Sequence, residues 1–329
     1  MTDAANVVRW MPASLMPIAL LLLATPVAPQ TYPNKPVRVV VAQAAGSATD
    51  ILARLLSQPL SEALGQQVVI DNRAGAGGLL GTEIAAKALP DGYTLLMASI
   101  STHGVNPALH TKLSYDPVRD FAPISLVATT ANVIIVHPAL PARNVQELIA
   151  LAKSRPGQLN FATPGNGSSQ HLATELLRSM AGNANMVHVP YKGSGGAIAS
   201  VIAGETAWMM PALPSALVQI KSGRVRAIAV SSLQRSSDLP DVPTIAQSLP
   251  GYEVVTWYGL MAPAGTPASV ISRLHADTTR LLATPELQRT FAASGLIAQS
   301  STPEGFSDFV RVELARWAKV ARQAGVKAE

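Results

Sequence analysis

The chain has 329 residues, of which 48% are hydrophobic and 14% are charged, and Lys plus Arg exceed Asp plus Glu by 25 − 20 = 5. This composition supports a sizeable core in about two domains and argues against a disordered protein. The positive charges are scattered and form no Lys/Arg-rich block, so no nucleic-acid partner is expected. Cysteine is absent, which excludes disulfides, thiolate metal sites and cysteine nucleophiles.

The first element is an uncharged, apolar stretch at residues 11–24. It is too short for a membrane-spanning helix, which needs about 20 apolar residues, and it matches the apolar centre of a secretory signal peptide. We therefore predict a signal peptide over residues 1–28 and a periplasmic mature protein that begins between residues 25 and 32. The alternative is a buried N-terminal helix, but Pro12, Pro17 and Pro26 argue against one long helix.

From residue 32 onward, strand-like and helix-like segments alternate. This pattern is typical of open, mostly parallel α/β sheets, and two such sheets fit the length better than one. The predicted strands are 37–42, 68–71, 93–98, 132–136, 159–162, 186–189, 207–210, 226–230 and 252–259. The predicted helices are 49–64, 79–89, 145–153, 169–180, 195–202, 214–222, 266–283, 285–294 and 303–325. The proline-containing segment 107–123 is predicted to be a surface excursion.

The chain is predicted to cross between two lobes twice, near residues 128–133 and 231–243. Lobe 1 would then be discontinuous, and lobe 2 would be an insertion within it. The predicted boundaries are 31–130 plus 233–329 for lobe 1 and 131–232 for lobe 2. Two crossings would leave a cleft between the lobes and a double-stranded hinge.

Four loops share one pattern, in which a strand ends in small polar residues and a helix follows at once. Ligands of parallel sheets bind outside the carboxyl ends of the strands, and the free N–H groups at a helix N-terminus favour an anion. Taken singly, each loop is better explained as an ordinary helix cap. Taken together, loops 43–50, 99–103, 163–169 and 191–196 predict a shared cleft for a small carboxylate.

Within these loops we expect the ligand to contact Gln43, Gly46, Ser47, Thr49, Asp50, Ser99, Ser101, Thr102, His103, Asn166, Gly167, Ser168, Ser169, Tyr191, Lys192 and Gly193. Two of them have a second interpretation. Asp50 precedes a helical stretch and is favoured as a capping residue. Lys192 either neutralises a bound acid or is a solvated lysine at the rim. His171 and His188 are expected to be core or hinge residues.

The sequence contains no complete motif for nucleotide binding, for a hydrolase nucleophile or for a metal site. The run from Gly75 to Gly81 resembles a dinucleotide fingerprint, but Leu80 occupies the place of the third glycine, so a close helix–sheet contact is the favoured interpretation. There is no phosphate-binding P-loop and no G-x-S-x-G nucleophile elbow. The six histidines show no metal-ligand spacing, so we expect no metal and no cofactor.

Nine short motifs occur in order across residues 31–329. They are Tyr-Pro-x-Lys-Pro at 32–36, Asn-Arg-x-Gly-Ala-Gly-Gly at 72–78, Pro-Asp-Gly-Tyr-Thr-Leu-Leu at 90–96, Thr-His-x-x-Asn-Pro at 102–107, Tyr-Asp-Pro-x-x-Asp-Phe-Ala-Pro at 115–123, Gly-Asn-Gly-x-Ser at 165–169, Val-Pro-Tyr-Lys-Gly-Ser-Gly at 189–195, Leu-Pro-Asp-Val-Pro-Thr at 239–244 and Ala-Pro-Ala-Gly-Thr-Pro at 262–267. Together they resemble the Bug, or TctC-like, family of periplasmic solute-binding proteins of tripartite tricarboxylate transporters.

This resemblance implies a two-lobed periplasmic-binding-protein fold of the Venus-flytrap, type II-like kind, without catalytic activity. It also implies a small carboxylate ligand and partner subunits of a tripartite tricarboxylate-type membrane transporter. We expect the protein to be a monomer. The family's binding loops correspond to residues 43–50, 99–103, 166–169 and 191–194.

Two departures from the family pattern concern the ligand. The usual Pro-Phe-Pro-Pro-Gly-Gly loop reads Ala-Gln-Ala-Ala-Gly-Ser at 42–47, and the usual Asp-Asn is Pro211-Ala212. We therefore add Pro211 to the predicted ligand residues. Because this end of the pocket would become less polar and lose a partner for an ammonium group, a non-amino carboxylate is expected.

Two other functions remain open on the sequence alone. One is an α/β enzyme that acts on a small carboxylate in the cleft, although nucleophile, metal and nucleotide motifs are missing. The other is a ligand-sensing partner of a sensor kinase. The effector lobe of a transcription regulator is disfavoured, because the first 30 residues are too short and too apolar for a DNA-binding helix pair.

Overall fold

The structure is a computed structural model that describes residues 32–325. Everything discussed below belongs to the unit of the chain that starts at Pro33. The signal peptide predicted for residues 1–28 lies outside the described residues. Between residues 32 and 325, no helix combines the length and apolar character needed to cross a membrane.

Strands and helices alternate as the sequence predicts, and most bounds agree within a few residues. The strands are β1 (Val37–Val41), β2 (Val68–Asn72), β3 (Thr94–Ser99), β4 (Phe121–Ala131), β5 (Val133–Val136), β6 (Asn160–Thr163), β7 (Val187–Pro190), β8 (Trp208–Met209), β9 (Arg226–Val230), β10 (Val255–Pro263) and β11 (Ile297–Ala298). The helices are α1 (Ala48–Leu64), α2 (Leu79–Ala86), α3 (Asn106–Leu109), α4 (Val145–Ser154), α5 (Ser169–Met180), α6 (Ser194–Ile202), α7 (Leu213–Lys221), α8 (Ala268–Leu282), α9 (Pro285–Ala293) and α10 (Pro303–Ala324).

The strands form two sheets, which confirms the two-sheet α/β architecture. The six-stranded sheet has the order β11-β4-β10-β3-β1-β2, and the five-stranded sheet has the order β7-β6-β8-β5-β9. The chain leaves the first sheet after Ala131 and enters the second at Val133. It leaves the second sheet after Val230 and rejoins the first at Val255. The lobe boundaries 31–130, 131–232 and 233–329 remain predictions.

Strand direction differs from the sequence prediction, because both sheets are mixed rather than mostly parallel. Four of the nine pairings between the named strands are parallel, namely those that join β1 to β2 and β3, and β6 to β7 and β8. The outgoing strands β4 and β5 pair antiparallel with the returning strands β10 and β9. This arrangement follows from the two crossings between the sheets. The returning strands run beside the outgoing strands in the opposite direction, so their pairing is antiparallel.

The segment 107–123 is not a surface excursion throughout. Tyr115 is buried and its hydroxyl donates to the Thr102 carbonyl oxygen at 2.6 Å. Phe121 is also buried and begins the long strand β4, Phe121–Ala131. The sequence analysis did not predict this strand, because its next strand after 93–98 began at residue 132. Prolines obscured this strand, because Pro123 removes a ladder donor and lowers the strand signal.

Hydrogen bonds tie the two crossings to each other. The Asn132 N–H donates to the Ser231 hydroxyl at 2.7 Å, and the Ser231 N–H donates to the Asn132 carbonyl at 2.9 Å. The Ser231 hydroxyl donates onward to the Val254 carbonyl, and the Thr256 hydroxyl donates to Asn132 Oδ1 at 3.1 Å. All polar groups in this chain of bonds are buried, so the crossings are held in one register.

One hydrophobic cluster extends from the first sheet to the second and includes Leu96 and Phe161. Helix α10 contributes Trp317 to it, and the indole N–H groups of Trp257 and Trp317 both donate to Glu313, at 2.9 and 3.0 Å. Burial of each such aromatic side chain is worth about 1.5–3 kcal/mol. This shared core places the carboxyl ends of β1, β3 and β6 around one space.

Candidate ligand-binding site

A cavity of about 560 Å³ lies where the predicted loops of the two sheets face each other. The predicted ligand residues on its wall are Gln43, Ser47, Thr49, Ser99, Ser101, Asn166, Ser168, Ser169, Tyr191, Lys192 and Gly193. Those that lie off the wall are Gly46, Asp50, Thr102, His103, Gly167 and Pro211. Contact with a ligand stays a prediction for all of them, while the structure establishes where each one lies.

The first wall segment follows β1 and begins helix α1. The Ser47 hydroxyl caps this helix by accepting from the Asp50 N–H at 3.3 Å. Asp50 itself accepts from the Gly46 N–H and from Arg54, each at 2.9 Å. Burial favours a raised pKa for the Asp50 carboxyl, but the bonds and charge of Arg54 and the Gly46 N–H hold that pKa below its usual value. Asp50 is thus a buried anion with its own partners, which fits the capping interpretation.

The second wall segment follows β3 and connects the loops of the two sheets. The Ser101 hydroxyl donates to the Ser169 hydroxyl at 2.9 Å and accepts from the Ser169 N–H at 3.3 Å. Its neighbours point away from the cavity: Thr102 bonds back to Ser99, and the His103 ring is fully buried, 4.8 Å from that of Phe121. Burial lowers the pKa of His103 to about 3, so its ring is neutral at physiological pH.

The third wall segment joins β6 to α5. Ser168 is the N-cap, with its hydroxyl accepting from the His171 N–H at 3.2 Å and donating to the Gly165 carbonyl at 2.8 Å. Asn166, Ser168 and Ser169 lie on the wall. The N–H groups of Ser169 and His171 donate to the hydroxyls of Ser101 and Ser168, so of the first three residues of α5 the Gln170 N–H is left to meet an anion.

The fourth wall segment joins β7 to α6, whose N-cap Gly193 supplies no side-chain cap. Gly193 has φ +106°, and a Cβ there would lie 2.9 Å from the Cβ of Ala44 in the first wall segment. Only glycine combines this backbone conformation with so close an approach. The N-terminus of α6 therefore meets the cavity beside the loop that begins α1.

The wall offers donors with little fixed charge. Among the described residues that form it, Lys192 is the only charged one, it is exposed at the rim, and no Asp or Glu is present. Three helices of 17, 12 and 9 residues begin at the wall, so their dipoles all favour an anion there. Within residues 32–325 no cluster of three His, Cys, Asp or Glu residues fits a metal ion. The arrangement is suited to a small anion.

Residues 52–326 match the sequence family described as "Tripartite tricarboxylate transporter family receptor", or TctC. The chain belongs to the TctC family. It is 40% identical over 291 residues to the UPF0065 protein of the tcbD-tcbE intergenic region of Pseudomonas sp. strain P51, with 88% of this chain and 86% of that protein covered. It is 39% identical over 313 residues to BugT of Bordetella pertussis, covering 94% and 95% of the two chains.

Solved structures show that this TctC chain has a periplasmic-binding-protein fold. The periplasmic binding protein BugD matches with a TM-score of 0.86 and 34% identity, over 91% of this chain and all of that chain. An R. palustris protein solved with adipate matches with a TM-score of 0.88 and 34% identity, over 90% and 99% of the two chains. MatC of Rhodopseudomonas palustris, with bound malate, has a TM-score of 0.82 and 32% identity, over 88% and 99%.

Sequence reasoning missed a fifth wall segment in this TctC protein, the glycine-rich loop 74–78. Gly77 and Gly78 have φ values of +64° and +100°, and the loop passes close to Asn166 and Thr102. The close helix–sheet contact predicted for this run is confirmed at Gly81, where a Cβ would lie 2.7 Å from Ala42 Cα. The glycines that do not complete a nucleotide-binding motif thus contribute backbone atoms to the cavity wall.

The returning strand β10 also contributes to the wall, through Thr256 and Tyr258. The sequence analysis predicted this strand but no ligand residue within it. Thr256 and Tyr258 are polar and lie two positions apart, so they share one face of the strand. This spacing is the sequence signal that could have placed them on the cavity wall. Pro211, by contrast, lies buried beside the crossing, where its carbonyl accepts from the Val133 N–H at 2.9 Å.

Buried polar atoms without a protein partner lie beside the cavity. Both amide atoms of Gln43 and the hydroxyl of Ser99 have no hydrogen-bond partner within residues 32–325, and both residues belong to the wall. A group in this state is uncommon, because leaving it unpaired costs about 1–3 kcal/mol. The cavity end near Gln43 therefore carries uncharged polar groups, while the lower polarity expected from the departures from the family pattern stays a prediction.

Proposed function

We propose that this TctC protein is a periplasmic receptor that captures a small carboxylate between its two sheets and delivers it to a tripartite tricarboxylate-type transporter, without catalysis. The observation that carries this proposal is the convergence of three helix N-termini and several hydroxyl groups on a cavity whose wall has no acidic side chain. Family membership supports it, as do the relatives solved with adipate and malate.

The physical argument concerns one carboxylate group of the ligand. Hydrogen bonds to a charged group are worth about 1.5–3 kcal/mol each, and a helix N-terminus adds about 0.3–1 kcal/mol. Ser101, Ser168 and Ser169 stand where such bonds would form. A micromolar dissociation constant corresponds to about 8 kcal/mol of net binding free energy, toward which each of these interactions contributes.

The remainder of the ligand would meet Gln43, Ser99, Thr256 and Tyr258. These groups accept a hydroxyl or a second carboxyl, but none neutralises an ammonium. An amino acid would therefore bury an unpaired positive charge at a cost of several kcal/mol. We infer a preference for dicarboxylates, hydroxy acids or aromatic acids over amino acids.

Ligand capture is proposed to close lobe 1, residues 31–130 plus 233–329, onto lobe 2, residues 131–232. The motivation is that the donors come from both sheets and need one ligand in common. Small-angle scattering should show a smaller radius of gyration at saturating ligand. An unchanged radius at proven saturation would contradict closure.

A thermal-shift panel tests the proposed function with matched pairs: malate against aspartate, and adipate against 2-aminoadipate. At about 100 times its dissociation constant a ligand stabilises the protein by about 2.7 kcal/mol, which raises Tm by several degrees in a protein of this size. We expect a shift with an acid that lacks an amino group. The largest shifts with aspartate or 2-aminoadipate would contradict the selectivity, and conversion of a bound acid, followed by mass spectrometry, would support an enzyme instead.

A further inference from the structure

Two stacked histidines lie beneath the ligand loop 164–169. His171, in the first turn of α5, and His188, in β7, have ring centroids 4.1 Å apart and ring planes 13° apart. On its other face His188 stacks on Phe161, at 5.0 Å. Neither imidazole lies on the cavity wall, so the proposed binding chemistry does not use them.

His188 holds the start of the loop through Thr163. Its Nε2 lies 2.6 Å from Thr163 Oγ1, which in turn lies 3.3 Å from both the N–H and the carbonyl oxygen of Gly165. The single hydroxyl proton of Thr163 goes either to Nε2 or to the Gly165 carbonyl oxygen. Where the neutral Nε2 accepts this proton, protonation of Nε2 reverses that bond, and the Thr163 hydroxyl must change its hydrogen bonds at the base of the loop.

His171 holds the middle of the same loop. Its Nδ1 lies 3.4 Å from the Gly167 N–H, which donates to it. Gly167 has φ +72°, so its backbone conformation depends on the surrounding contacts. Protonation of Nδ1 removes the acceptor and leaves this N–H facing an imidazolium.

The charges around the pair discourage protonation. Glu175 Oε1 lies 3.9 Å from His171 Nε2 but is already paired with Arg178 at 2.6 Å. On the other side of the loop, His110 Nε2 lies 3.8 Å from where a Cβ of Gly167 would be. Burial and the charge of Arg178 lower the pKa of both His171 and His188 to about 4; at His188 the imidazole of His171 also lowers the pKa and Glu175 opposes the shift.

We propose that His171 and His188 are positioning residues for the ligand loop, and that protonation of this pair loosens the loop and weakens carboxylate binding in acid. The inference rests on the proposed function, because it assumes that loop 164–169 holds the ligand. Release would be driven by a fall in pH at the protein itself, with no change in the residues that contact the ligand.

The test compares the wild type with the double variant His171→Asn/His188→Gln. The amide groups of Asn and Gln can take the places of Nδ1 and Nε2 in the two hydrogen bonds but do not titrate. Calorimetry with adipate and malate would run from pH 7.5 to pH 3.5. Because groups with a pKa of about 4 are mostly neutral at pH 4.5, we expect the additional loss of wild-type affinity to appear below that pH and to reach up to about fourfold per histidine at pH 3.5. Protonation of the ligand affects both proteins alike and cancels in the comparison.

A control and a second measurement keep the result interpretable. His275→Gln removes a histidine that contacts the Ser301 carbonyl, far along the chain from the loop, and should follow the wild type. Without ligand, NMR should show the amides of Gly165 and Gly167 losing exchange protection as the two imidazoles titrate. Equal pH profiles for wild type and double variant, or amides that stay protected while the imidazoles titrate, would overturn the proposal. Failure of every acid to bind at pH 7.5 would instead refute the proposed function, and the NMR titration would still decide the role of the pair.

Discussion

Ser101 and Ser169 hydrogen-bond each other from loops that follow strands of different sheets. We propose that these two hydroxyls share one carboxylate of the ligand between the two sheets. We expect Ser169→Ala to raise the dissociation constant about tenfold, because one hydrogen bond to a charged group is lost. Calorimetry at pH 7.5 measures this. Ser179→Ala, on the same helix but bonded to the Gln323 carbonyl, is the matched control and should bind as the wild type does.

Gly193 is the residue at which the loops before α1 and α6 come closest. Gly193→Ala would force a side chain into φ +106° and place its Cβ 2.9 Å from Ala44 Cβ. We expect a loss of about 1–3 kcal/mol in stability, from strain and crowding, together with weaker binding. Urea unfolding and calorimetry check both effects.

The control for this change is Gly195→Ala, two residues later in α6, where a Cβ would meet nothing within 4 Å. Alanine is a better helix former than glycine, so this variant should gain up to about 1 kcal/mol. Equal stability of the two variants would show that the close approach to Ala44 is not needed.

At the scale of single residues, most of the positions that the sequence singled out lie on the cavity wall, and their contact with a ligand stays a prediction. Local patterns sufficed there, since a strand end, a small polar loop and a helix start are all short-range features. The residues off the wall, such as Thr102 and His103, share these loops but point to the opposite side. Sequence alone does not distinguish the two directions, because a π-helical turn at Ser101–Val105 sets them.

Among the elements, helix α2 lies unusually close to the first sheet. A Cβ at Gly81 would come within 2.7 Å of both Ala42 Cα and the Arg73 carbonyl oxygen. We predict that Gly81→Ala destabilises the protein by about 1–3 kcal/mol or more, because backbone on both sides cannot yield easily. Leu80→Ala, on the exposed side of the same helix, should change stability by less than about 0.5 kcal/mol. Chemical denaturation distinguishes the two, and a neutral Gly81→Ala would contradict the close contact.

Helices were easier to predict than strands for a physical reason. Ser47, Ser168 and Thr302 cap their helices through bonds to residues three positions away, so the signal is local. Strand direction depends on partners far along the chain, and a buried apolar run reads alike in parallel and antiparallel sheets. The mixed character of both sheets and the full length of β4 therefore emerged only from the structure.

For the whole molecule, buried histidines make stability depend on pH. The pKa of His103 is lowered to about 3 and those of His171 and His188 to about 4, from an ordinary value of 6.5. Between pH 6.5 and the lowered pKa values, the unfolded chain binds more protons than the folded chain. The contribution of these neutral histidines to the free energy of unfolding is therefore complete above pH 6.5 and is lost as the pH drops toward 4. The lowered carboxyl pKa values, as at Asp277, act only at still lower pH.

We therefore expect the free energy of unfolding to fall between pH 7.5 and pH 5, by at most about 1.4 kcal/mol per histidine and pH unit below 6.5. Urea denaturation at pH 7.5, 6 and 5 measures the slope. The double variant His171→Asn/His188→Gln should show a shallower slope, because only His103 of the three remains. A wild type equally stable at pH 5 and pH 7.5 would argue that these rings become protonated without cost.

The position of strand β10 within the first sheet affects the order in which the chain can fold. It lies between β3 and β4 in the first sheet, yet it meets its partner Ala131 through Val255, which is 255 − 131 = 124 residues later. Until β10 is in place, β3 and β4 expose unpaired edges that can pair with other chains. Contacts of such high sequence separation also slow folding, since the loop must close before they form. The first sheet is thus begun by the N-terminal residues but completed only by the C-terminal third, so a chain cut before Val255 would retain most of both sheets and still be prone to aggregate.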